Sequence, residues 1–269
     1  MSATPKPLRV SLVQGATRWH DAAANRAYYG ELVRSLRGQS DLLVLPETFL
    51  SGFTNETLIN AETMEGEGVR WLRMLAGEVG ATITGSLVIR AGDRCVNRLV
   101  WMRPDGTHAH YDKRHLFRMA REHERYVGGS QYLIVELGGW RICPQVCYDL
   151  RFPVWSRNRY DRATGRSDYD LLLFVANWPS ARRHAWRTLL RARAIENLSY
   201  CIGVNRVGVD GNQLHYSGDS AAIDFLGQPL IELGAQEQIV SVTLDPDALQ
   251  TYRTRFPAWM DADDFSVVP

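Results

Sequence analysis

The chain has 269 residues, 45% of them hydrophobic, which is enough for one substantial core and little more than that. Lys plus Arg number 31 against 30 Asp plus Glu, a formal charge of +1, so the concentrated positive surface of a nucleic-acid binder is missing. No apolar run approaches the roughly 18 residues of a spanning helix, and the opening MSATPKPLRV lacks the apolar stretch of a secretory signal.

Strands and helices alternate from end to end. LRVSLVQ (8–14) and LLVLPE (42–47) are short apolar runs, with a helix predicted between them over 21–37 that stops at Gly38. A second helix is predicted over 64–79, ending before Gly80. Residues 81–89 and 97–106 form an expected strand pair, with Pro104–Gly106 supplying the turn. A loop-rich stretch (112–130) leads to YLIVEL (132–137) and WRICPQVC (140–147). LLLFVAN (171–177) is the most hydrophobic strand and is expected to be buried on both faces. A helix over 183–198, a strand over 199–208, a hairpin around Leu226–Pro229, a strand at 238–244 and a short helix from Asp245–Pro246 complete the chain.

Val-, Ile- and Leu-rich strands separated by helices of roughly 15 residues indicate an α/β, layered sheet-and-helix fold. The strand pairs without helices predict that part of the sheet is antiparallel. No GxGxxG follows the first strand and no GxxxxGK[ST] occurs, so nucleotide-phosphate cradles are unsupported. The absence of a polar linker or repeat predicts a single domain over 1–269.

Three reactive side chains lie just past strands: Glu47 after LLVLP, Lys113 after HAHYD, and Cys147 at the end of WRICPQVC. The carboxyl ends of strands are where α/β sites assemble. Separations of 66 and 34 residues bring each from a different strand. A thiol, a carboxylate and an ammonium together make a nucleophilic set: the sulfur attacks, the carboxylate carries protons, and the cation lowers the thiol pKa and holds the oxyanion. Spacing alone does not specify such a set. Cys95, Cys143 and Cys201 read as inert core thiols, and four cysteines in a chain of this kind make no disulfide framework; the expected setting is a reducing cytoplasm. Cys143 and Cys147 are not spaced as CxxC. His108, His110, His115 and His123 cluster in sequence, but no HExxH or paired-Cys pattern accompanies them, and no metal is expected. A papain-like Cys–His pair is the rival arrangement, without that family's sequence around the cysteine.

The wording around the three residues adds specificity. LPETFLSGF (45–53), YDKRHLF (111–117) and CYDLRFP (147–153), in that order, resemble the nitrilase superfamily of carbon–nitrogen hydrolases. The likeness runs from the first strand to about residue 245, and EHERYVGG (122–129), ANWPSAR (176–182), LLRARAIENLSYCIGVNRVG (189–208) and YSGDSAAID (216–224) look like its omega-amidase branch.

The resemblance implies a four-layer α-β-β-α sandwich with two mixed sheets packed face to face, and an enzyme that needs no cofactor. It implies that Glu47 is the general base, Cys147 the nucleophile that forms a thioester, Lys113 an oxyanion partner together with the backbone N–H of Tyr148, and Glu122 a second glutamate beside the lysine. It implies a small amide substrate, such as 2-oxoglutaramate or 2-oxosuccinamate. The same three residues would serve a nitrilase or an N-carbamoyl hydrolase, and a non-catalytic binding protein on this fold is the reading from a different class. For the substrate's far carboxylate, Arg182 and Arg183 are the candidates, with Phe49 and Tyr148 as apolar walls and Asn177 and Trp178 lining the pocket. Asp149 and Arg151 are expected to pair and pin the turn that exposes the thiol. Arg187, Arg191, Arg193 and Glu196 on the 183–198 helix read as a charged face, and the resemblance implies that this helix packs against its twin in a homodimer. No nucleic acid or membrane is expected as a partner.

Overall fold

A computed structural model describes residues 5–267; residues 1–4 and 268–269 of the expected 1–269 domain lie outside the described residues. In chain order the first half runs β1 (Leu8–Gln14), α1 (Ala22–Arg34), β2 (Leu42–Val44), α2 (Thr57–Asn60), α3 (Glu67–Val79), β3 (Thr82–Ala91), β4 (Arg94–Met102), β5 (His108–Asp112), β6 (Val135–Leu137) and β7 (Trp140–Val146). The second half runs α4 (Pro153–Ser156), β8 (Tyr160–Asp161), β9 (Arg166–Ser167), β10 (Leu171–Ala176), α5 (Arg183–Asn197), β11 (Tyr200–Asn205), β12 (Val207–Val209), β13 (His215–Ser217), β14 (Ala221–Ile223), β15 (Pro229–Glu232), β16 (Gln238–Leu244) and α6 (Pro246–Arg255).

Two six-stranded mixed sheets form the centre, in the orders β16-β1-β2-β3-β4-β5 and β15-β14-β11-β10-β7-β6. Each is built on a parallel trio, β1-β2-β3 in one and β7-β10-β11 in the other, with antiparallel strands outside. Strand alternation sorts the side chains. Val10, Leu12, Leu42, Val44, Leu99 and Trp101 face inward and pack with Ile142, Val146, Leu171 and Leu173 of the second sheet. Val13, Leu43, Leu45, Val100 and Met102 face outward and meet Tyr29 and Val33 of α1 and Leu72, Leu75 and Val79 of α3. On the far face of the second sheet, α5 seats Trp186 and Leu190 over Gly203, where a Cβ would come within 2.7 Å of either side chain. The result is the four-layer α-β-β-α sandwich. Among the described residues no helix is long and apolar enough to cross a membrane.

Several expected boundaries move. The β3–β4 turn is Gly92–Asp93, a two-residue loop that glycine permits at φ 66°. Pro104–Gly106 joins β4 to β5 instead, and β5 is a further strand that places Lys113. Helix α1 stops at Arg34, and turns carry the chain to Gly38 at φ 75°. Of 132–137 only Val135–Leu137 pairs, and 199–208 divides at Arg206 into β11 and β12.

Candidate active site

Both sheets end in polar groups on the same side. Past β2, the Glu47 carboxylate is fully buried; its Oε1 accepts from Asn97 Nδ2 at 2.8 Å and Lys113 Nζ at 2.9 Å, and its Oε2 accepts from the Asn177 backbone N–H at 2.7 Å. Lys113, 1% exposed, also donates to Glu122 at 3.0 Å, and its ammonium lies 5.3 Å from the centre of the Phe53 ring. Glu122 is held in turn by the Phe117 N–H at 2.6 Å. Burial alone would lower the Lys113 pKa; the Glu122 and Glu47 carboxylates reverse this and hold it well above the ordinary range. Burial likewise raises Glu122, against the pull of Lys113.

Cys147 follows β7 with φ 47°, a left-handed conformation that a residue with a Cβ adopts at a cost of about 1–2 kcal/mol. The chain then enters a short 3₁₀ turn, Cys147–Arg151. As the second residue of that turn, Tyr148 has an N–H that the turn itself leaves unused. Thr48, next to Glu47, and Arg121, next to Glu122, also have positive φ, so three of the seven such non-glycine residues among those described lie at this site. Backbone strain gathers where geometry is demanded. The residue is 9% exposed, and its sulfur lies 3.9 Å from the Asn177 carbonyl oxygen.

The ammonium lowers the thiol pKa as expected, but it does not win, and the expectation of an easily ionised thiol is corrected. Burial and the nearby Glu47 carboxylate push Cys147 well above its ordinary value, and Lys113 offsets only part of this. Two carboxylates surround one ammonium, so a resting thiolate would add negative charge to a buried cluster that is already net negative. The resting group is the neutral thiol. Cys95, Cys143 and Cys201 are buried and free.

The remaining sequence candidates divide. Asn177 is 5% exposed. Its Nδ2 donates to the Glu47 carbonyl and to Thr48 Oγ1, so it fixes the base. Trp178 is 3% exposed, and the Arg151 guanidinium lies 5.0 Å from its ring centre. Tyr148 is half-buried and packs against Phe117 at 5.0 Å. Phe49 is not a pocket wall: it is fully buried on the helix side of the first sheet, against Tyr29 and Trp71. Arg183 is taken up by buried Asp219 at 2.6 Å. Arg182 has no carboxylate partner among the described residues, and its guanidinium lies 5.5 Å from the Phe117 ring centre.

Asp149 does not pair with Arg151; it binds His115, Tyr111 and the Val146 N–H. Arg193 is 3% exposed rather than on a solvated face, and it donates to the Leu150 carbonyl at 2.6 Å behind the cysteine turn. His115 is engaged with Asp149, and no group of three or more His, Cys, Asp or Glu side chains suited to a metal occurs among the described residues. Sequence reasoning missed Asn97 and Phe53. Phe53 stood within the LPETFLSGF motif, whereas Asn97 had no signal beyond being polar in an apolar strand.

The carbon–nitrogen hydrolase family model matches residues 9–254. The omega-amidase YafV of Yersinia enterocolitica is 48% identical over 96% of this chain and 98% of its own. The 2-oxoglutaramate amidase of Bacillus subtilis is 31% identical, over 82% of this chain and 85% of its own. A crystal structure of a CN-hydrolase superfamily protein from Xanthomonas campestris, with an arsenic adduct in its active site, is 60% identical, superposes with a TM-score of 0.96, and covers 98% of this chain and 100% of its own. The chain belongs to the carbon–nitrogen hydrolase family, within the nitrilase superfamily, and is an amidohydrolase of the omega-amidase branch.

Proposed function

We propose that this chain hydrolyses the terminal amide of a short 2-oxo dicarboxylic acid, 2-oxoglutaramate or 2-oxosuccinamate, through a thioester on Cys147. The observation that carries the reading is that one buried carboxylate, Glu47, accepts from the Lys113 ammonium at 2.9 Å and lies near enough to the Cys147 thiol to push its pKa up.

The thiol proton passes to Glu47 as sulfur attacks the amide carbon. This removes the need for a resting thiolate. The carbonyl oxygen gains negative charge beside Lys113 and the Tyr148 N–H, which stabilise it. Glu47 then returns the proton to the amide nitrogen, the C–N bond breaks, and ammonia leaves a thioester. Water gives a proton to Glu47 as it attacks the thioester; the second tetrahedral intermediate expels sulfur, which recovers its proton from Glu47, and the carboxylic acid departs. Glu122 steadies Lys113 through a second ion pair to the same ammonium. Asn97 and the Asn177 N–H keep Glu47 aimed.

Arg182 is the proposed partner of the substrate's far carboxylate, since Arg183 is engaged with Asp219. Relatives named omega-amidase and 2-oxoglutaramate amidase support this substrate class. The test is ammonia release across 2-oxo acid amides, simple amides, nitriles and N-carbamoyl amino acids. The highest kcat/KM is expected for the 2-oxo acid amides; a preference for a nitrile or a carbamoyl compound overturns the assignment.

We further propose a homodimer through the outward face of α5. There Ile195 is 50% exposed, and Arg187 and Arg191 share one carboxylate partner, Glu232. Sedimentation of the wild type against Ile195→Glu tests it, with a shift to monomer expected; a monomeric wild type contradicts it. The compartment proposed is the cytoplasm, whose reducing conditions suit four free cysteines.

A further inference from the structure

Asp149, buried two residues after Cys147, accepts four hydrogen bonds. Its Oδ1 receives the His115 backbone N–H at 2.9 Å and His115 Nδ1 at 2.8 Å. Its Oδ2 receives the Tyr111 hydroxyl at 2.8 Å and the Val146 N–H at 3.1 Å. Val146 precedes Cys147, while Tyr111 and His115 lie two residues either side of Lys113. One carboxylate therefore bridges the turn that carries the sulfur and the loop that carries the ammonium, which belong to different sheets. Trp155 Nε1 donates to the Tyr111 hydroxyl at 2.9 Å and so orients it toward Asp149. The His115 ring stacks on Phe152 at 3.7 Å, and Phe152 meets Tyr148 edge-on at 5.1 Å. Cys147 holds its left-handed φ without the freedom of glycine, so something must hold the turn. The Val146 N–H bond to Asp149 does so directly before the strained residue.

We propose that Asp149 and His115 are positioning residues for the hydrolysis, their bond fixing the Cys147 turn against the Lys113 loop so that thiol and ammonium converge on one carbonyl. This deepens the reading of Cys147 and Lys113 above and rests on it. Neither residue need touch the substrate. Loosening the bridge misplaces the reacting groups and therefore lowers kcat rather than affinity, because displacements near 1 Å cost on the order of 100-fold.

Two substitutions separate the bond from the ring. His115→Asn retains a donor for Asp149 and loses the stack on Phe152; His115→Phe retains the stack and loses the donor. The expected result is that kcat of His115→Phe falls about 100-fold with KM changed less than about threefold, while His115→Asn stays within about tenfold of wild type. The reverse order, or wild-type kcat in both, overturns the proposal, as does a loss that falls on KM alone. Melting temperature and far-UV circular dichroism verify that the variants fold. Should neither fold, Tyr111→Phe removes a single donor from the same carboxylate; a reduced kcat supports the bridge and an unchanged kcat overturns it. Cys147→Ala assayed in parallel keeps the two readings apart. Turnover by Cys147→Ala sinks the nucleophile assignment itself, whereas an inactive Cys147→Ala beside a fully active His115→Phe sinks only the bridge.

Discussion

Cys143 and Cys147 stand four residues apart on one run of chain, both buried and both without a disulfide. Burial pushes the Cys143 thiol up to about 12, and burial together with Glu47 pushes Cys147 well above the ordinary range, so neither is a thiolate at rest. What separates them is company. Cys143 lies within β7 and meets Gln145 Nε2 at 3.6 Å. Cys147 is lifted from the strand end by its positive φ and faces a carboxylate that can take its proton and, beyond it, an ammonium. Reactivity here is a property of a base within reach and a cation beside it, not of a lowered pKa.

The largest effect that sharpens this contrast is deletion of each sulfur. Cys147→Ala is expected to reduce turnover by at least about 10⁴-fold, with the fold intact because a thiol-to-methyl change costs little packing. Cys143→Ala is expected to leave kcat within about twofold, since it touches no reacting group. Loss of secondary structure in Cys147→Ala would mark that residue as packing instead.

Next is Lys113→Met, expected to lower kcat by about 10³-fold through loss of oxyanion charge. It also leaves Glu47 and Glu122 buried without their cation, a stability cost of about 3–5 kcal/mol. Near-normal activity would remove the lysine from the mechanism. A smaller change is expected from Arg182→Ala: KM for a 2-oxo dicarboxylic amide rises about 10- to 100-fold, the worth of one charge-assisted hydrogen bond. An uncharged amide should be nearly unaffected, and equal losses on both substrates would break the assignment.

The smallest concerns the alkaline limb of stability. The Cys143 thiol ordinarily titrates at 9.0 and in the fold at about 12. Between those values the unfolded chain has lost a proton that the folded chain keeps, so this group's contribution is intact below pH 9.0 and declines above it at about 1.4 kcal/mol per pH unit. Denaturant titrations of Cys143→Ala should therefore show a shallower fall across that window; an unchanged slope contradicts the assigned environment.

Legibility followed locality. Apolar alternation and helix-length spacing located most strands and helices, because local pattern and buried face coincide there. The turn of the β3–β4 pair was assigned to Pro104–Gly106 and not to Gly92–Asp93, because Pro104–Gly106, which joins β4 to β5, carries an equally strong turn signal. Glu47, Lys113, Glu122 and Cys147 were legible because each lies in a short motif. Asn97 and His115 were not assigned their contacts, since what they do depends on partners 50 and 34 residues away that only the sandwich brings together. Phe49 failed for a simpler reason: near Glu47 in sequence, it points to the opposite face of the sheet.

Rapid-quench mass spectrometry during turnover of a 2-oxo dicarboxylic amide bears on the proposed thioester most directly. A transient mass increase equal to substrate minus ammonia, confined to the peptide containing Cys147 and decaying as product accumulates, is the expected result. Sustained ammonia release with that peptide unmodified at every quench time, together with turnover by Cys147→Ala, would contradict it.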